Sequence, residues 1–435
     1  MSDRVVVVGN PDSVFVHAPV RYWRSLGIDV VILTARWTGP PTVGGDLPVI
    51  SAESLAPPWV TRAADGLVPF LDAVNATSLA VDPVRVRAAL ETWGTSVEPP
   101  SVTPAVNDAI LIAAAADVLE PACVFGLEAF SYGVATSICP APRRALFAWG
   151  ADVLHYANMS DVASTLVREA LLRVDYVLTN VTSMADALHE RFGVPRDRLA
   201  LISYGVNREQ FRPATDERAA RIRAAYGIPP GARVVMNVRR FLPHWGRAAA
   251  WPAMMAVAER RSDVHLVLLD GCPGDADVSE AIDEARVRGL AGQLTAVRGY
   301  LPLDTVADLM SVADVSLSLV DSLEPVSWSV LQAAACGSAV IVGDQPTYRA
   351  ECARGLAAVL VAPREVAALI ERILEVLDDA QLRARMRVDN DRFLTEHHDQ
   401  HAQMIRLLRI VAGSETATRL LIRGQSGAGL PVKSA

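Results

Sequence analysis

Short apolar runs alternate with longer amphipathic segments along most of the chain, and the alternation occurs in two successive series. Short runs rich in Val, Ile and Leu are typical of buried parallel strands, and the segments between them are typical of crossover helices. The first series runs from residues 4–9 to residues 176–180, and the second from residues 233–238 to residues 358–361. The pattern predicts an α/β protein with two doubly wound parallel sheets.

The boundary between the two series is predicted near Pro213. The segment 211–215 ends the first series, and a polar helix at 216–226 and a Pro-Pro-Gly turn follow it. We therefore expect an amino-terminal domain over residues 1–213 and a carboxy-terminal domain over residues 214–412. Apolar periodicity is lost and Gly and Ser increase after that, so residues 413–435 are predicted to form a flexible tail.

One stretch in the second series places polar groups beside a predicted strand end. It reads D-S-L-E-P-V-S-W-S-V-L-Q-A-A-A-C-G from Asp321 to Gly337 and directly follows the apolar run 315–320. Glu324 falls in the turn and Gln332 about two helical turns later. Open α/β sheets bind ligands at the carboxyl ends of their strands, and carboxylate and amide groups can bind hydroxyls. The stretch predicts a sugar-nucleotide pocket.

The same stretch resembles the Glu-x7-Glu signature of the retaining glycosyltransferases of family 4, with Gln332 in place of the second Glu. Trp149–Ala157 is similar to the Trp-Gly-Ser/Thr-Asp segment of a subset of that family, and Ile202–Pro213 to its Asn-Gly-Val-Asp-x-x-x-Phe-x-Pro segment. The resemblance implies the GT-B fold, in which two Rossmann-like domains face a central cleft. It implies that the first domain binds the acceptor and the second binds the nucleotide sugar.

The resemblance also implies roles for residues of the second domain. Glu324 would contact the transferred sugar or its phosphate, and Gln332 the ribose, without a charge. Arg240 matches a phosphate-binding Arg of the family, whereas Trp245 stands where the family has a Lys. Either Arg247 or His244 supplies the second positive charge, or one Arg acts with a helix amino terminus. The other predicted donor-binding residues are Arg239, Tyr300, Leu301, Ser327, Trp328, Ser329 and Val330. That Arg240 and Arg247 only solvate a loop stays open.

The first domain offers the candidates for the acceptor side. His17 and Asp152 are candidate catalytic residues beside Glu324 and Arg240, although a solvated or capping role for His17 stays open. The candidate acceptor-side residues lie at predicted strand ends and turns: Gly9, Asn10, Asp12, Ser13, Trp149 and Gly205.

The chemistry implied by the resemblance is transfer with retention of configuration, without a metal, a cofactor or a protein nucleophile. Groups aimed at the departing phosphate stabilise the reaction, and a phosphate oxygen of the donor takes the acceptor proton. Two metal-like patterns are set aside. Asp275 and Asp277 fit acids at a helix start, and His397 and His401, one turn apart on a predicted solvated helix, lack a distant third ligand.

Two departures from the family, Gln332 and Trp245, leave other functions open. One is a different GT-B reaction, such as epimerisation of a nucleotide sugar or coupling through nitrogen. The other is a non-catalytic protein that binds a sugar nucleotide or a glycan and assists a true transferase. The identity of the acceptor, the sugar and the base is not readable from the sequence.

Charge and hydropathy narrow the partners. A formal net charge of -8 argues against binding to nucleic acid, and it limits membrane contact to peripheral contact at most. Apolar runs stay below the roughly 20 residues that a membrane span needs, and the amino terminus enters a strand without signal-peptide architecture. We expect a cytoplasmic protein, and the Ala and Arg richness indicates a bacterial coding bias. A homo-oligomer is compatible with the sequence.

Overall fold

The computed structural model describes residues 3–38, 46–55, 65, 67–68, 103–150, 152–153, 161–239, 241, 246–269, 278–299, 301–320 and 326–428. The chain forms two compact units. The first consists of Met1–Tyr204 together with Ala402–Ala435, and the second of Gly205–His401. Each unit is a parallel sheet with helices between its strands, so the predicted α/β class with two Rossmann-like domains is confirmed.

The first unit contains a sheet of seven parallel strands in the order β3, β2, β1, β4, β5, β6, β7. The strands are β1 (Val5–Val8), β2 (Val30–Thr34), β3 (Val49–Ser51), β4 (Cys123–Leu127), β5 (Arg144–Phe147), β6 (Tyr176–Thr179) and β7 (Leu199–Leu201). The four valines of β1 are fully buried, as expected for a central strand covered on both faces. The strand order reverses between β1 and β4, which makes the carboxyl ends of these two strands the switch point of the sheet.

The described helices of the first unit that precede residue 204 are α1 (Val14–Ser25), α2 (Thr103–Leu119), α3 (Ser131–Ile138), α4 (Asp161–Arg173) and α5 (Thr182–Phe192). The start of α1 follows from local chemistry, since the hydroxyl of Ser13 accepts the backbone N–H of Phe15. Helix α2 carries an alanine-rich run that is buried in the core beside α3. Its small side chains allow close packing of the two helices.

The second unit contains six parallel strands in the order β10, β9, β8, β11, β12, β13. They are β8 (Arg233–Asn237), β9 (Val264–Leu269), β10 (Leu294–Val297), β11 (Val315–Ser318), β12 (Ala339–Gly343) and β13 (Ala358–Val361). The described helices are α6 (Asp216–Ala225), α7 (Arg247–Arg260), α8 (Val278–Val287), α9 (Leu303–Ser311), α10 (Trp328–Ala335), α11 (Pro346–Ala353), α12 (Val366–Asp378) and α13 (Ala380–His397). The switch point of this sheet lies between β8 and β11.

Two further helices follow, α14 (Gln400–Ala412) and α15 (Ser414–Ala428). The prediction of a flexible tail over residues 413–435 is therefore wrong for the residues of α15. Ala417 and Leu420 of α15 are buried. Gly424 lies against the backbone of Leu26 and Gly27, where a Cβ on Gly424 would come within 2.2 Å of the Leu26 carbonyl oxygen. The Gly and Ser content that indicated flexibility instead permits this close approach.

The predicted domain boundary also needs correction. Residues 205–213 belong to the second unit, and residues 402–412 belong to the first. The Val206 N–H donates to the carbonyl of His398 at 2.8 Å, and Phe211 is 2% exposed. These contacts hold the linker to the second unit. Residues 205–213 therefore begin the second unit, whereas the sequence predicted that they end the first domain.

The histidine segment near residue 400 is not one solvated helix. Helix α13 ends at His397 and α14 begins at Gln400, so His397 and His401 lie on two helices. His398, between them, is buried and lies 3.8 Å from the carboxylate of Glu351, measured between Nε2 and Oε2. In the described part of the chain, every helix is too short or too polar to cross a bilayer.

Candidate functional site

The switch point of the second unit brings a cation and a hydroxyl together. Arg239 follows β8, and its guanidinium donates to the hydroxyl of Ser327 at 2.7 Å. The Ser327 N–H donates in turn to the phenol oxygen of Tyr348 at 3.3 Å. Ser327 and Tyr348 are 5% and 3% exposed. The predicted donor-binding residues Arg239 and Ser327 therefore lie in contact at the carboxyl edge of the sheet.

Helix α10 begins beside this cluster, and its predicted residues differ in environment. The indole N–H of Trp328 donates to the carbonyl of Gly205 at 2.7 Å, within the second unit. Gln332 is 5% exposed on the buried face of the helix, and Ser329 is half-buried. Val330 is 1% exposed, so its side chain packs in the interior. Trp328 thus ties the start of α10 to the backbone of Gly205.

Arg247, predicted to support phosphate binding, has partners of its own. Its guanidinium donates to Glu280 at 2.6 Å and lies 4.7 Å from the centre of the Phe241 ring. Gly246 before it has φ +84, and a Cβ there would lie 2.5 Å from the Leu319 carbonyl oxygen. Leu301 is half-buried just before α9. The predicted residues Glu324, Arg240 and Tyr300 lie outside the described residues, as do His244, Trp245, Asp275 and Asp277.

Four buried side-chain oxygens near this edge were missed by sequence reasoning. They lack a hydrogen-bond partner among the described residues: Asn237 Oδ1, Ser318 Oγ, Gln345 Oε1 and Thr347 Oγ1. The amide group of Gln345 also donates to the carbonyl of Val320, the last described residue before Glu324. Leaving a buried polar group unsatisfied costs about 1–3 kcal/mol, so such atoms mark places where a ligand or water can bind. Polar residues just after apolar runs were the available signal.

The first unit closes its corresponding edge with a hydrogen-bonded loop between β1 and α1. The Asp12 N–H donates to Asn10 Oδ1 at 2.9 Å, and a Cβ on Gly9 would lie 2.6 Å from Val16 Cγ2. His17 is 4% exposed and its Nε2 donates to the carbonyl of Pro11. Burial lowers the pKa of His17, more than the bond to Pro11 raises it. His17 therefore links helix α1 to the loop that precedes it.

Asp152, predicted to be catalytic, is surrounded by backbone N–H groups of two loops. It is 3% exposed and accepts the N–H groups of Ala129, Trp149, Gly150 and Val153 at 2.7–3.1 Å from one or other oxygen. Burial raises the pKa of the carboxyl group, and the bonds to the backbone oppose that rise. The carboxylate of Asp152 therefore links the loop after β4 to the loop after β5.

Glu128, immediately after β4, was missed by sequence reasoning. Its backbone has φ +93, and its carboxylate accepts N–H groups from Phe130, Ser131 and Tyr132 at 2.7, 2.9 and 3.2 Å. Burial and, to a lesser extent, the charge of Asp152 raise the pKa of Glu128 to about 7, although the three backbone bonds lower it. The only sequence signal was an acid directly after an apolar run.

Aromatic rings gather at the same edge of the first unit. The ring centres of Phe15 and Trp149 are 4.3 Å apart, those of Phe147 and Trp149 are 4.0 Å apart, and Tyr204 meets Trp149 edge-on at 5.6 Å. Phe15 is 38% exposed, which leaves an apolar surface beside the predicted acceptor-side residue Trp149. Across the parts of both units that the structure describes, no group of three or more His, Cys, Asp or Glu side chains could hold a metal ion.

The sequence of the second unit matches a known protein family. Residues 219–391 match the family model described as Glycosyl transferases group 1. The match includes all six strands of the second sheet and helices α10 and α11, so it covers Arg239, Ser327 and Tyr348. The predicted resemblance to glycosyltransferases is supported for this domain.

Particular relatives agree with this class. The D-inositol 3-phosphate glycosyltransferase of Rhodococcus erythropolis is 27% identical over 181 residues, which are 41% of this chain and 40% of that protein. The chain thus spans less than half the length of this curated relative. Among solved structures, a glycosyltransferase from Rickettsia africae superposes with a TM-score of 0.67 at 13% identity, over 96% of this chain and 98% of that chain.

Anabaena Alr3699/HepE in complex with UDP superposes with a TM-score of 0.62 at 13% identity, over 96% of this chain and 99% of that chain. At these identities the likeness establishes the fold alone. The predicted GT-B fold is confirmed, because the two parallel-sheet domains of this chain superpose on these structures over almost their whole length, and one of them is a glycosyltransferase.

Proposed function

We propose that this protein is a glycosyltransferase that moves a sugar from a nucleotide-sugar donor to a hydroxyl group of an acceptor. The observation that carries the proposal is the family match over residues 219–391. It coincides with a switch point where Arg239 and Ser327 lie in contact and four buried oxygens lack partners among the described residues. Ligands of open α/β sheets bind at such points.

We propose a uridine diphosphate sugar as the donor, since Alr3699/HepE has been crystallised with UDP and with UDP-glucose. Arg239 and Arg240 are the proposed partners of the diphosphate, because guanidinium groups bind phosphate through paired N–H groups. The hydroxyl and amide groups of Ser327 and Gln332 are proposed to bind donor hydroxyls. Glu324 is proposed to contact the transferred sugar.

The proposed reaction retains configuration and uses no metal. The bond between the sugar C1 and the diphosphate oxygen breaks, and a bond forms between C1 and the acceptor oxygen on the same face. The acceptor proton passes to an oxygen of the departing diphosphate, so the products are the glycoside and the nucleoside diphosphate. Positive groups aimed at the developing phosphate charge lower the barrier.

The experiment that tests the function has two steps. Thermal denaturation with UDP, GDP, ADP, TDP or CDP, in the presence of EDTA, should show a rise in Tm with UDP, because a ligand of the native state stabilises it. UDP-glucose is then mixed with an acceptor panel, and released UDP is measured. Proton NMR of the product reports the anomeric configuration.

A Glu324→Ala variant should lose most of the nucleotide release while its Tm is unchanged. The matched control is Glu371→Ala, which removes an exposed carboxylate paired with Arg260 on the surface. Nucleotide binding without release from any acceptor would favour a non-catalytic binder. No response to any nucleotide would contradict the proposal.

A further inference from the structure

The amino terminus of α3 is occupied by the chain's own carboxylate. Helix amino termini at the carboxyl edge of a parallel sheet bind phosphate, because their N–H groups lack partners within the helix. Here the N–H groups of Phe130, Ser131 and Tyr132 all donate to Glu128. Helix α3 follows β4 at the switch point, so the position where this sheet would bind an anion is already filled.

The backbone is strained to achieve this arrangement. Glu128 has φ +93, and among the described residues only Glu120 and Glu128 combine a side chain with positive φ. Neighbouring bonds hold the conformation: the Glu128 N–H donates to the Phe147 carbonyl at 3.1 Å, and the Ala129 N–H donates to Asp152 at 2.8 Å. Strain of this kind persists where the surroundings impose it, and it clusters at functional sites.

The charges nearby also disfavour an anionic ligand. Among the described residues in the turns that follow β1 to β6, the one cation is Arg36. Its guanidinium lies 2.9 Å from Asp108 and 3.6 Å from Glu53, so two carboxylates already balance it. The ionised forms of Glu128 and Asp152 add negative charge at the switch point. A phosphate placed there would displace Glu128 and remain beside like charges.

This inference rests on the proposed function and on the acceptor binding to the first unit. We propose that Glu128 is a specificity-determining residue that excludes phosphate from the acceptor side, so that the acceptor is an uncharged or amine-bearing polyol. The relative from Rhodococcus erythropolis, in contrast, is named for an inositol phosphate. The proposal therefore gives this chain an acceptor that differs from the one in that relative's name.

The first test needs no donor and no turnover. In a Glu128→Gly variant the positive φ suits glycine and the three N–H groups are vacated. Titration calorimetry with inorganic phosphate should give a Kd at least about tenfold lower for this variant than for the wild type, because vacated helix N–H groups bind phosphate. Glu120→Gly is the matched control, since Glu120 also has positive φ (+44) but is exposed and lies after α2. It should behave as the wild type.

If Glu128→Gly does not fold, Glu128→Asn gives the same comparison, because asparagine tolerates positive φ and carries no charge. Equal phosphate affinity in the wild type and in a folded variant would overturn the proposal. That outcome would mean that Glu128 does not occupy an anion site.

The second test uses the complete reaction. The wild type is compared on a cyclitol and its monophosphate, and the unphosphorylated acceptor should have the larger kcat/KM by at least about tenfold, because a phosphate there meets like charge. Glu128→Gly should narrow that ratio, whereas Glu120→Gly should leave it unchanged. A wild-type preference for the monophosphate would overturn the proposal. If no acceptor releases nucleotide, the proposed function fails, and the phosphate titration still decides whether Glu128 fills the site.

Discussion

The two sheets have the same kind of switch point, but they differ in how its polar groups are satisfied. In the first unit, seven backbone N–H groups donate hydrogen bonds to Glu128 and Asp152, so these carboxylates bind the protein's own backbone. In the second unit Arg239 contacts Ser327, and buried oxygens such as Asn237 Oδ1 lack partners among the described residues. The first edge is a closed polar framework, whereas the second retains capacity to bind a ligand.

The largest effect is expected from breaking the closed framework. Asp152→Ala leaves up to four buried N–H groups without an acceptor, which should lower the free energy of unfolding by about 3 kcal/mol or more. Asp152→Asn keeps one acceptor oxygen and should lose about half as much. Urea denaturation measures both variants. An Asp152→Asn enzyme of normal stability that has lost nucleotide release would instead make Asp152 catalytic.

A substitution at the carboxyl edge of the second sheet should change activity more than stability. Arg239→Ala is expected to lower kcat/KM by about 10- to 100-fold, because it removes positive charge from the departing diphosphate. Its Tm should change little. The matched control is Arg298→Ala, since Arg298 also donates to a serine hydroxyl, that of Ser279 at 2.8 Å, but on the exposed surface. Similar losses in both variants would remove Arg239 from the site.

The contact of α15 with the rest of the first unit can be tested at a single glycine. Gly424→Ala forces a methyl group into the Leu26 carbonyl and should lower the free energy of unfolding by about 1–3 kcal/mol, as overpacking does. Gly292→Ala is the control, because no atom lies within 4 Å of its Cβ position. Hydrogen exchange should locate the loss in the first unit. An unchanged first unit would show that α15 does not support it.

The smallest effects are those of a change of one pH unit, because one proton changes the free energy of unfolding by at most about 1.4 kcal/mol per pH unit. Burial and Asp152 raise the pKa of Glu128 from 4.5 to about 7, so its contribution to stability is lost as pH rises through that window. Burial, with a smaller effect of Arg223, lowers the pKa of His265 in β9 from 6.5 to about 4. Its contribution is lost as pH falls from 6.5 to 4.

The two contributions have opposite slopes where their windows overlap. Relative to the wild type, Glu128→Gln should gain stability as pH rises from 5 to 7, and His265→Gln should lose it over the same range. Thermal denaturation at several pH values measures both slopes. Parallel slopes for the two variants would contradict this assignment of buried charge to the two units.

The sequence predicted the parts of the fold that depend on local periodicity. Central strands such as β1 and β12 are uninterrupted or nearly uninterrupted apolar runs, and the two series of them follow from that pattern. The three-residue edge strands β3 and β7 carry too short a signal and were not predicted. The packing of α15 depends on contacts with residues almost 400 positions away, such as Gly27, which no local pattern encodes.

The candidate site was predictable to a similar extent. Arg239, Ser327 and Trp328 were predicted because a motif and a strand end coincide in the sequence, and the structure places Arg239 in contact with Ser327 at the end of β8. Glu128 was missed because its role depends on a positive φ, which a non-glycine residue rarely adopts. Asp152 was predicted as a candidate from the sequence, but its four backbone hydrogen bonds depend on two loops that meet in the fold.

Helices α14 and α15 constrain the order in which the protein can fold during synthesis. The indole of Trp23 donates to the carbonyl of Met404, 381 residues later, and Arg419 pairs with Asp3. All residues of the second unit have been synthesised before Met404 and Arg419. Until those two residues are added, part of the surface of the first unit has no partner to pack against. The unit that is translated first is therefore the one that is completed last.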